Sequence, residues 1–282
     1  MKKLFFYLAL FFLLSCIAPG LQAQEIKNSG AHIVLRNNVH LVVNGNYVNQ
    51  NDGLLHQEGT VWLSGNWENN ATNNAITGAD ASHRLRFDGT AAQTIGGTYT
   101  GVHTFEGLSV ETGAAVEVAS DKQITAKGDF TADGSFTLKS DATGTASFII
   151  EGSSSGTATA ELFQSATTTN PYWHYVTLPV DVGDASVTSD MLHTTSNSND
   201  YYGYYWDEPN QQYNQLTSGA DLSNQMRGYA VPCDTEQTLT FSGKLVTGTQ
   251  SDAFSRTGAA AYTGYNLSGN PYTSGINLAT TS

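Results

Sequence analysis

The sequence predicts an all-β protein: an N-terminal right-handed parallel β-solenoid, similar to a β-helix, followed by an antiparallel β-sandwich. Three observations lead to this prediction. In the first half of the chain, a pattern of alternating apolar residues ended by glycine recurs about every 20 to 24 residues. The second half is rich in aromatic residues between Gly, Pro and Asn turns. Beyond the N-terminal segment, no long stretch combines a 3.6-residue period with a helix-forming composition.

Residues 1–23 have the features of a secretory signal peptide. Lys2 and Lys3 form a basic start, and the apolar run after them is too short to span a bilayer comfortably. Small residues then lead to a cleavage site after Ala23. Two alternatives stay open, namely a lipoprotein signal at Cys16 and an uncleaved anchor. The predicted location is therefore extracellular or at a bacterial cell surface, and an integral membrane protein is not expected.

The charge of the chain argues against some classes of partner, and its cysteine content indicates whether a disulfide can stabilise it. Residues 1–23 contain two of the 12 basic residues and none of the 25 acidic ones, so the mature chain has a net charge of −15. Such an acidic protein is a poor partner for nucleic acid or for an anionic membrane surface. After cleavage only Cys233 remains, which leaves no partner for an intrachain disulfide. The oligomeric state stays open.

The repeat is clearest in two ten-residue stretches, "LVVNGNYVNQ" (41–50) and "VWLSGNWENN" (61–70). At an offset of 20 the matching positions are alternate ones, so that in a strand they share one face. These matched pairs are Leu41 with Val61, Val43 with Leu63, Gly45 with Gly65, and Tyr47 with Trp67. One short strand and one turn per repeat predict coils that stack and share a core, about six of them over residues 24–165.

The glycine of the repeat predicts a coil corner at which the backbone has positive φ. The apolar-x-apolar-x-Gly pattern returns at 85–89, 124–128 and 148–152. Successive glycines are 20, 24, 39 and 24 residues apart, and 39 is close to two periods. An antiparallel sandwich or meander with glycine in its hairpins is the alternative, because a doubled hairpin imitates a period of this length.

Residues 166–282 are predicted to form the second domain, a β-sandwich that is incomplete at its C-terminus. Small polar residues dominate 152–170 and indicate a boundary there. Beyond it lie eleven of the fourteen tyrosines, in short segments separated by turn residues.

Five short motifs in this second half carry a resemblance to a protein class. They are W-x-Y-V-x-x-P-V at 173–180, YYWDE at 204–208, GYAV at 228–231, FSGKLVTG at 241–248 and GYNLSGNPY at 264–272. In this order they resemble secreted, adhesin-like surface proteins of Bacteroidetes, which end in a type IX secretion sorting domain. The resemblance implies display at the cell outer membrane and a longer gene product that continues beyond Ser282 into the sorting domain. It implies no catalytic residues.

The stretch "YYGYYWDEPN" (201–210) is the candidate ligand site. Alternation places Tyr202, Tyr204 and Trp206 on one side of a strand, where their rings could stack on sugar rings while Asp207 and Glu208 accept hydroxyl hydrogen bonds. A row of this kind is also typical of a buried core strand, which is the simpler interpretation. A protein interface is the third.

No catalytic, metal or cofactor site is predicted. Ser154 fits the G-x-S-x-G pattern, but the nucleophile elbow needs a strand–turn–helix, and a Gly/Ser-rich stretch matches by composition alone. Arg84, Arg86 and Asp88 are expected on an exposed, mixed-charge face. The predicted function is non-catalytic and adhesin-like, binding a glycan or a partner surface. A carbohydrate-active enzyme or its accessory module, and a purely structural envelope component, are the alternatives.

Overall fold

The structure is a computed structural model, and it describes ten segments of the chain. They are residues 24–36, 39–78, 82–166, 172–181, 186–187, 203–217, 221–222, 224–233, 236–258 and 261–276. The predicted signal peptide lies outside them. These segments contain strands and turns but no α-helix, and accordingly no helix that could cross a membrane. The all-β prediction is confirmed.

Residues 26–156 form a parallel β-solenoid of six coils, with three short strands in each. The first three coils consist of β1 (Ile26–Ser29), β2 (His32–Leu35) and β3 (His40–Val43); β4 (Tyr47–Gln50), β5 (Leu54–Gln57) and β6 (Thr60–Leu63); and β7 (Trp67–Asn70), β8 (Ile76–Thr77) and β9 (Leu85–Phe87). The fourth and fifth consist of β10 (Ala92–Gly96), β11 (Val102–Phe105) and β12 (Leu108–Val110); and β13 (Ala115–Val118), β14 (Gln123–Ala126) and β15 (Phe130–Ala132).

The sixth coil carries a small insertion. It contains β16 (Ser135–Leu138), a two-stranded antiparallel hairpin of β17 (Ser140–Asp141) and β18 (Gly144–Thr145), then β19 (Ser147–Ile150) and β20 (Ser154–Gly156). The next strand, β21 (Ala158–Gln164), pairs in parallel with β16 and continues the first sheet. Corresponding strands of successive coils therefore build the three walls of the solenoid.

The two similar stretches lie directly on top of each other. Leu41 pairs with Val61, and Tyr47 pairs with Trp67, as the offset of 20 predicts. The rings of Tyr47 and Trp67 are stacked, with their centroids 4.7 Å apart and their planes 5° from parallel. Each coil offers too small an apolar face to be stable alone, and the stacked side chains bury it. The repeated decapeptide is thus a repeated layer of the core.

Buried asparagines support one corner of the first three coils. Asn28, Asn49 and Asn69 occupy equivalent positions in β1, β4 and β7, and all three are buried. The Asn49 amide donates to the Asn69 carbonyl oxygen over 3.1 Å, and the Asn69 amide donates to the backbone carbonyl of Asn73 over 2.7 Å. Buried polar groups need hydrogen-bond partners, and the side-chain amides of Asn49 and Asn69 find theirs where the backbone leaves the strand.

The corner glycines are required for a different reason from the one predicted. Neither Gly45 nor Gly65 has positive φ. A Cβ on Gly65 would lie 2.4 Å from the carbonyl carbon of Gly45, and one on Gly45 would lie 2.1 Å from the carbonyl oxygen of Gln24. Asn46 and Asn66 beside them bond across coils, since Asn66 N donates to Asn46 Oδ1 over 2.9 Å. Close stacking of corners, rather than left-handed backbone, selects glycine here.

The five glycines of the repeat pattern do not belong to one series, so the interpretation of 39 residues as two periods is wrong. Gly45, Gly65 and Gly89 lie between the third strand of one coil and the first strand of the next. Gly128 and Gly152 lie between the second and third strands of their own coils. A Cβ on Gly152 would meet the carbonyl carbon of Gly128 at 2.5 Å, so these two also stack, but at another corner.

The C-terminal strands divide between two sheets. They are β22 (Tyr172–Val176), β23 (Ser186–Val187), β24 (Tyr204–Asp207), β25 (Gln212–Gln215), β26 (Tyr229–Cys233) and β27 (Gln237–Gly243). Four of them form an antiparallel sheet in the order β22-β26-β24-β25. The others extend the first solenoid sheet, where β27 pairs antiparallel with β21 and β23 pairs with β27. The predicted antiparallel sandwich is therefore confirmed only in part, because two strands join the solenoid.

A single apolar core runs from the solenoid into the C-terminal region. Phe241 of β27 pairs opposite Ala160 of β21, and both are buried. Val176, Tyr229 and Val231 of the four-stranded sheet belong to the same cluster of buried residues. One face of this sheet is thus committed to the core, and its other face is available to solvent.

Candidate functional site: an exposed aromatic face

The solvent side of the four-stranded sheet carries aromatic residues. Strand alternation turns Val176 and Tyr229 toward the core and their neighbours outward. Outward residues come from three strands: Trp173 and Tyr175 from β22, Tyr204 and Trp206 from β24, and Tyr213 from β25. Tyr175 is 64% exposed, Tyr213 49% and Trp173 48%, while Tyr204 and Trp206 are half-buried. Because so much apolar ring surface stays in contact with water here, this face is the candidate site.

A small residue in the central strand lets the outer rings approach one another. Ala230 lies between Tyr175 and Tyr204 in the strand register. The rings of Trp173 and Tyr204 come together across β26 with their centroids 5.8 Å apart and their planes at 61°. They form, with Tyr175 and Tyr213, a shallow hollow of about 380 Å³ over Ala230.

A second hollow adjoins the first at Tyr213. The Trp206 ring lies 5.1 Å from Tyr213 and 6.4 Å from Tyr262, and Tyr262 lies 6.0 Å from Tyr265, measured between centroids. The space between them measures about 560 Å³. We call the seven residues of the two hollows the aromatic face: Trp173, Tyr175, Tyr204, Trp206, Tyr213, Tyr262 and Tyr265.

Tyr262 and Tyr265 come from an irregular segment, the Tyr262 loop, of which residues 255–258 and 261–265 are described. Glu208 ties this loop to the end of β24. Its buried carboxylate accepts hydrogen bonds from the backbone amides of Thr257 (2.8 Å) and Gly264 (2.9 Å), and from the Thr257 hydroxyl. These donors, Thr257 foremost, lower the pKa of Glu208 to about 2. Trp206 adds a bond of 2.7 Å from its indole nitrogen to the carbonyl of Tyr265.

The structure brings only part of the predicted site together. Tyr204 and Trp206 share the exposed face, and Tyr202 lies outside the described residues. Asp207 points to the opposite side of the sheet, where its carboxylate accepts from the side-chain amides of Asn210 (2.8 Å) and Asn214 (2.9 Å). The Asn210 bond is the main cause of the lowered pKa of Asp207. Asp207 therefore lies on the other side of the sheet from these rings, because consecutive strand residues alternate.

The core interpretation of the same stretch applies to the residue between the two outward rings. Tyr205 packs against the hydrophobic core, and the guanidinium carbon of Arg227 lies 4.6 Å from the centre of its ring. Glu208, expected to bind hydroxyl groups of a ligand, is instead occupied by the Tyr262 loop.

Sequence reasoning missed five members of the aromatic face. Trp173 and Tyr175 had a usable signal, because they alternate as Tyr204 and Trp206 do. Tyr213 required the pairing of β24 with β25, and the two residues of the Tyr262 loop required a long-range contact.

The residues considered for catalysis lie elsewhere, on the solenoid. Ser154 begins β20, a parallel solenoid strand stacked on β15, and not a strand–turn–helix. Arg84 pairs with Asp129 at 3.2 Å, and Arg86 pairs with Glu111 at 2.9 Å while lying 4.9 Å from the centre of the Trp62 ring. Within the described segments, no three His, Cys, Asp or Glu side chains converge as metal ligands would.

No family model, no curated protein and no solved structure matches this chain. The resemblance to type IX-secreted surface proteins accordingly stays a prediction from short motifs.

Proposed function

We propose that this protein is a non-catalytic, adhesin-like binding protein whose aromatic face binds glycans. The observation that supports the proposal is the grouping of seven aromatic side chains around two adjoining hollows, on a sheet whose other face is anchored in the core. Aromatic ring faces pack against the C–H surfaces of sugars, and the tyrosine hydroxyl groups at the ring edges offer hydrogen bonds.

The scaffold favours binding without a large ordering cost. Ring positions are set by strand pairing and, at the second hollow, by the Glu208 anchor and the Trp206 bond to Tyr265. Groups that are already held in place lose little conformational entropy when a ligand arrives. Many copies on one surface would add avidity to a modest individual affinity.

The proposal includes export and surface display. The signal peptide predicted at 1–23, and the acidic chain that follows it, suit a protein outside the cell. We further propose that the four-stranded sheet, together with β27 and β23, forms the sandwich-like domain predicted for residues 166–282.

A glycan array tests this function. The purified chain should bind a sugar class, and Trp206→Ala or Tyr175→Ala should lose most of that binding. Trp62→Ala is the matched control, because Trp62 is also a half-buried tryptophan but lies on the solenoid, next to Arg86.

Thermal melting separates loss of a ligand contact from loss of the fold. A variant that melts like the parent yet no longer binds supports the proposal. Equal loss in the Trp62 control, or no binding by the parent to any glycan, contradicts it.

A further inference from the structure

The proposed glycan function leaves the class of glycan open, and three features of the aromatic face restrict it. The first is the relative tilt of the rings. Neighbouring planes meet at 61° for Trp173 and Tyr204, at 68° for Trp206 and Tyr213, and at 82° for Trp206 and Tyr262. Rings inclined in this way cannot lie flat together on a planar surface. They can contact successive units of a single chain whose sugar rings turn relative to one another.

The second feature is the length of the face. Its rings come from both edge strands of the sheet, β22 and β25, and continue into the Tyr262 loop. Three strand intervals alone span about 14 Å at the usual spacing. The two hollows share Tyr213, so the surface is continuous. This extent is several times that of one pyranose ring and fits the middle of a chain better than a single terminal sugar.

The third feature is charge. None of the described residues that line the two hollows carries a charge, and their hydrogen-bonding groups include the side-chain amides of Gln211 and Gln212. Asp207, Arg227 and Asp252 line a separate hollow of about 370 Å³ beside the aromatic face. Since the chain is strongly acidic overall, an anionic polysaccharide would be repelled without local compensation.

We infer that the aromatic face binds a single, uncharged polysaccharide chain along its length. This inference rests on the proposed glycan function and narrows its ligand. It excludes a terminal sugar, an anionic glycan and the flat face of a crystalline polysaccharide as the preferred ligand.

Isothermal titration calorimetry of the purified chain tests the inference with defined probes. The probes are soluble cello-, manno- and xylo-oligosaccharides from the mono- to the hexasaccharide, polygalacturonate, and suspended crystalline cellulose and chitin. We expect one neutral series to bind, with an affinity that rises from the disaccharide to the hexasaccharide and does not change with added salt.

Two variants test whether the ligand runs the length of the face. Trp173→Ala and Tyr262→Ala remove exposed rings at opposite ends, and each should weaken hexasaccharide binding roughly threefold to tenfold. The disaccharide should be affected by at most one of them. Trp62→Ala should behave as the parent, and melting curves should show that all variants are folded.

The outcomes separate the inference from the proposed function. Strongest binding to a monosaccharide, to polygalacturonate with salt-sensitive affinity, or to crystalline particles would overturn the inference and leave a glycan-binding function standing. Equal weakening of disaccharide and hexasaccharide by both end variants would also overturn it. Failure of every probe to bind would remove both and direct attention to a protein partner.

Discussion

The solenoid core contains one histidine whose burial should make the fold sensitive to mild acid. His103 of β11 is 1% exposed and lies in the same core layer as Ile124 and Phe148. Neither ring nitrogen has a hydrogen bond of good geometry. Burial, followed by the nearby Lys122 ammonium, lowers the pKa of His103 from 6.5 to about 4, although Tyr99 and Asp121 oppose this shift.

Acid should destabilise the fold, because the imidazole of His103 takes up a proton more readily in the unfolded chain than in the folded one. In the unfolded chain the imidazole is protonated below pH 6.5, whereas in the folded chain it stays neutral until about pH 4. The contribution of His103 to folding stability is therefore fully present above pH 6.5 and is lost progressively as the pH drops toward 4. A displacement of this size removes about 2 kcal/mol by pH 5 and about 3 kcal/mol by pH 4.

Urea denaturation followed by tryptophan fluorescence at pH 7.5, 5 and 4 measures the loss. His103→Leu should remove most of this pH dependence and should not destabilise the protein at pH 7.5, because it replaces an unsatisfied buried polar group with an apolar one. His40→Gln, at an exposed position of β3, should keep the parent profile. The reasoning is refuted if the parent and His103→Leu lose equal free energy between pH 7.5 and pH 4.

Three other substitutions test the solenoid corners and the loop anchor. Gly65→Ala should lower the free energy of unfolding by about 1–3 kcal/mol, because the new Cβ has no room beside Gly45. Gly96→Ala is the control, since a Cβ there has open space and should cost under about 1 kcal/mol. Urea titration measures both costs, and equal costs would contradict the stacking argument. Asn69→Ala should cost about 2 kcal/mol by the same assay, since it removes its bonds with Asn49 and the 71–73 turn. Glu208→Gln should speed amide hydrogen exchange in the Tyr262 loop and leave the solenoid amides unchanged. Because the pKa of Glu208 is depressed to about 2, the parent should keep this anchor above about pH 4.5 and lose it as the pH falls through 2. If the loop amides exchange equally fast in the parent and the variant, Glu208 does not anchor the loop.

The coil layers were predictable from sequence because alternate residues of a strand share one face, so that the apolar pattern recurs from coil to coil. The offset of 20 that aligns Leu41 with Val61 is the register of the structure. The corner occupied by each glycine was not predictable, because spacing alone does not say which of three turns a residue marks. Coil length also varies: Trp67 pairs with Ile95, 28 positions on, while Val118 pairs with Leu138, 20 positions on.

The candidate site also contains residues that the sequence could predict and residues that it could not. Alternation correctly puts Tyr204 and Trp206 on one face, and the same rule excludes Asp207 from it. Tyr262 has no periodic signal, since its position depends on a carboxylate 54 residues earlier in the chain, Glu208. Contacts of that range arise from the packing of irregular segments and leave no local pattern.

The reversal of chain direction at β27 has a consequence for self-association. A stack of parallel strands ends in unpaired amide and carbonyl groups, which invite another chain to add to the sheet and so to grow a fibre. Here the seven residues of β21 are covered by β27 running the other way, and beyond it the described sheet ends in β23, only two residues long. This end of the first sheet therefore offers a new coil only a very short edge strand, whereas the other two sheets end at β19 and β20. Any growth of the stack by a further coil would thus lack pairing along most of its first wall.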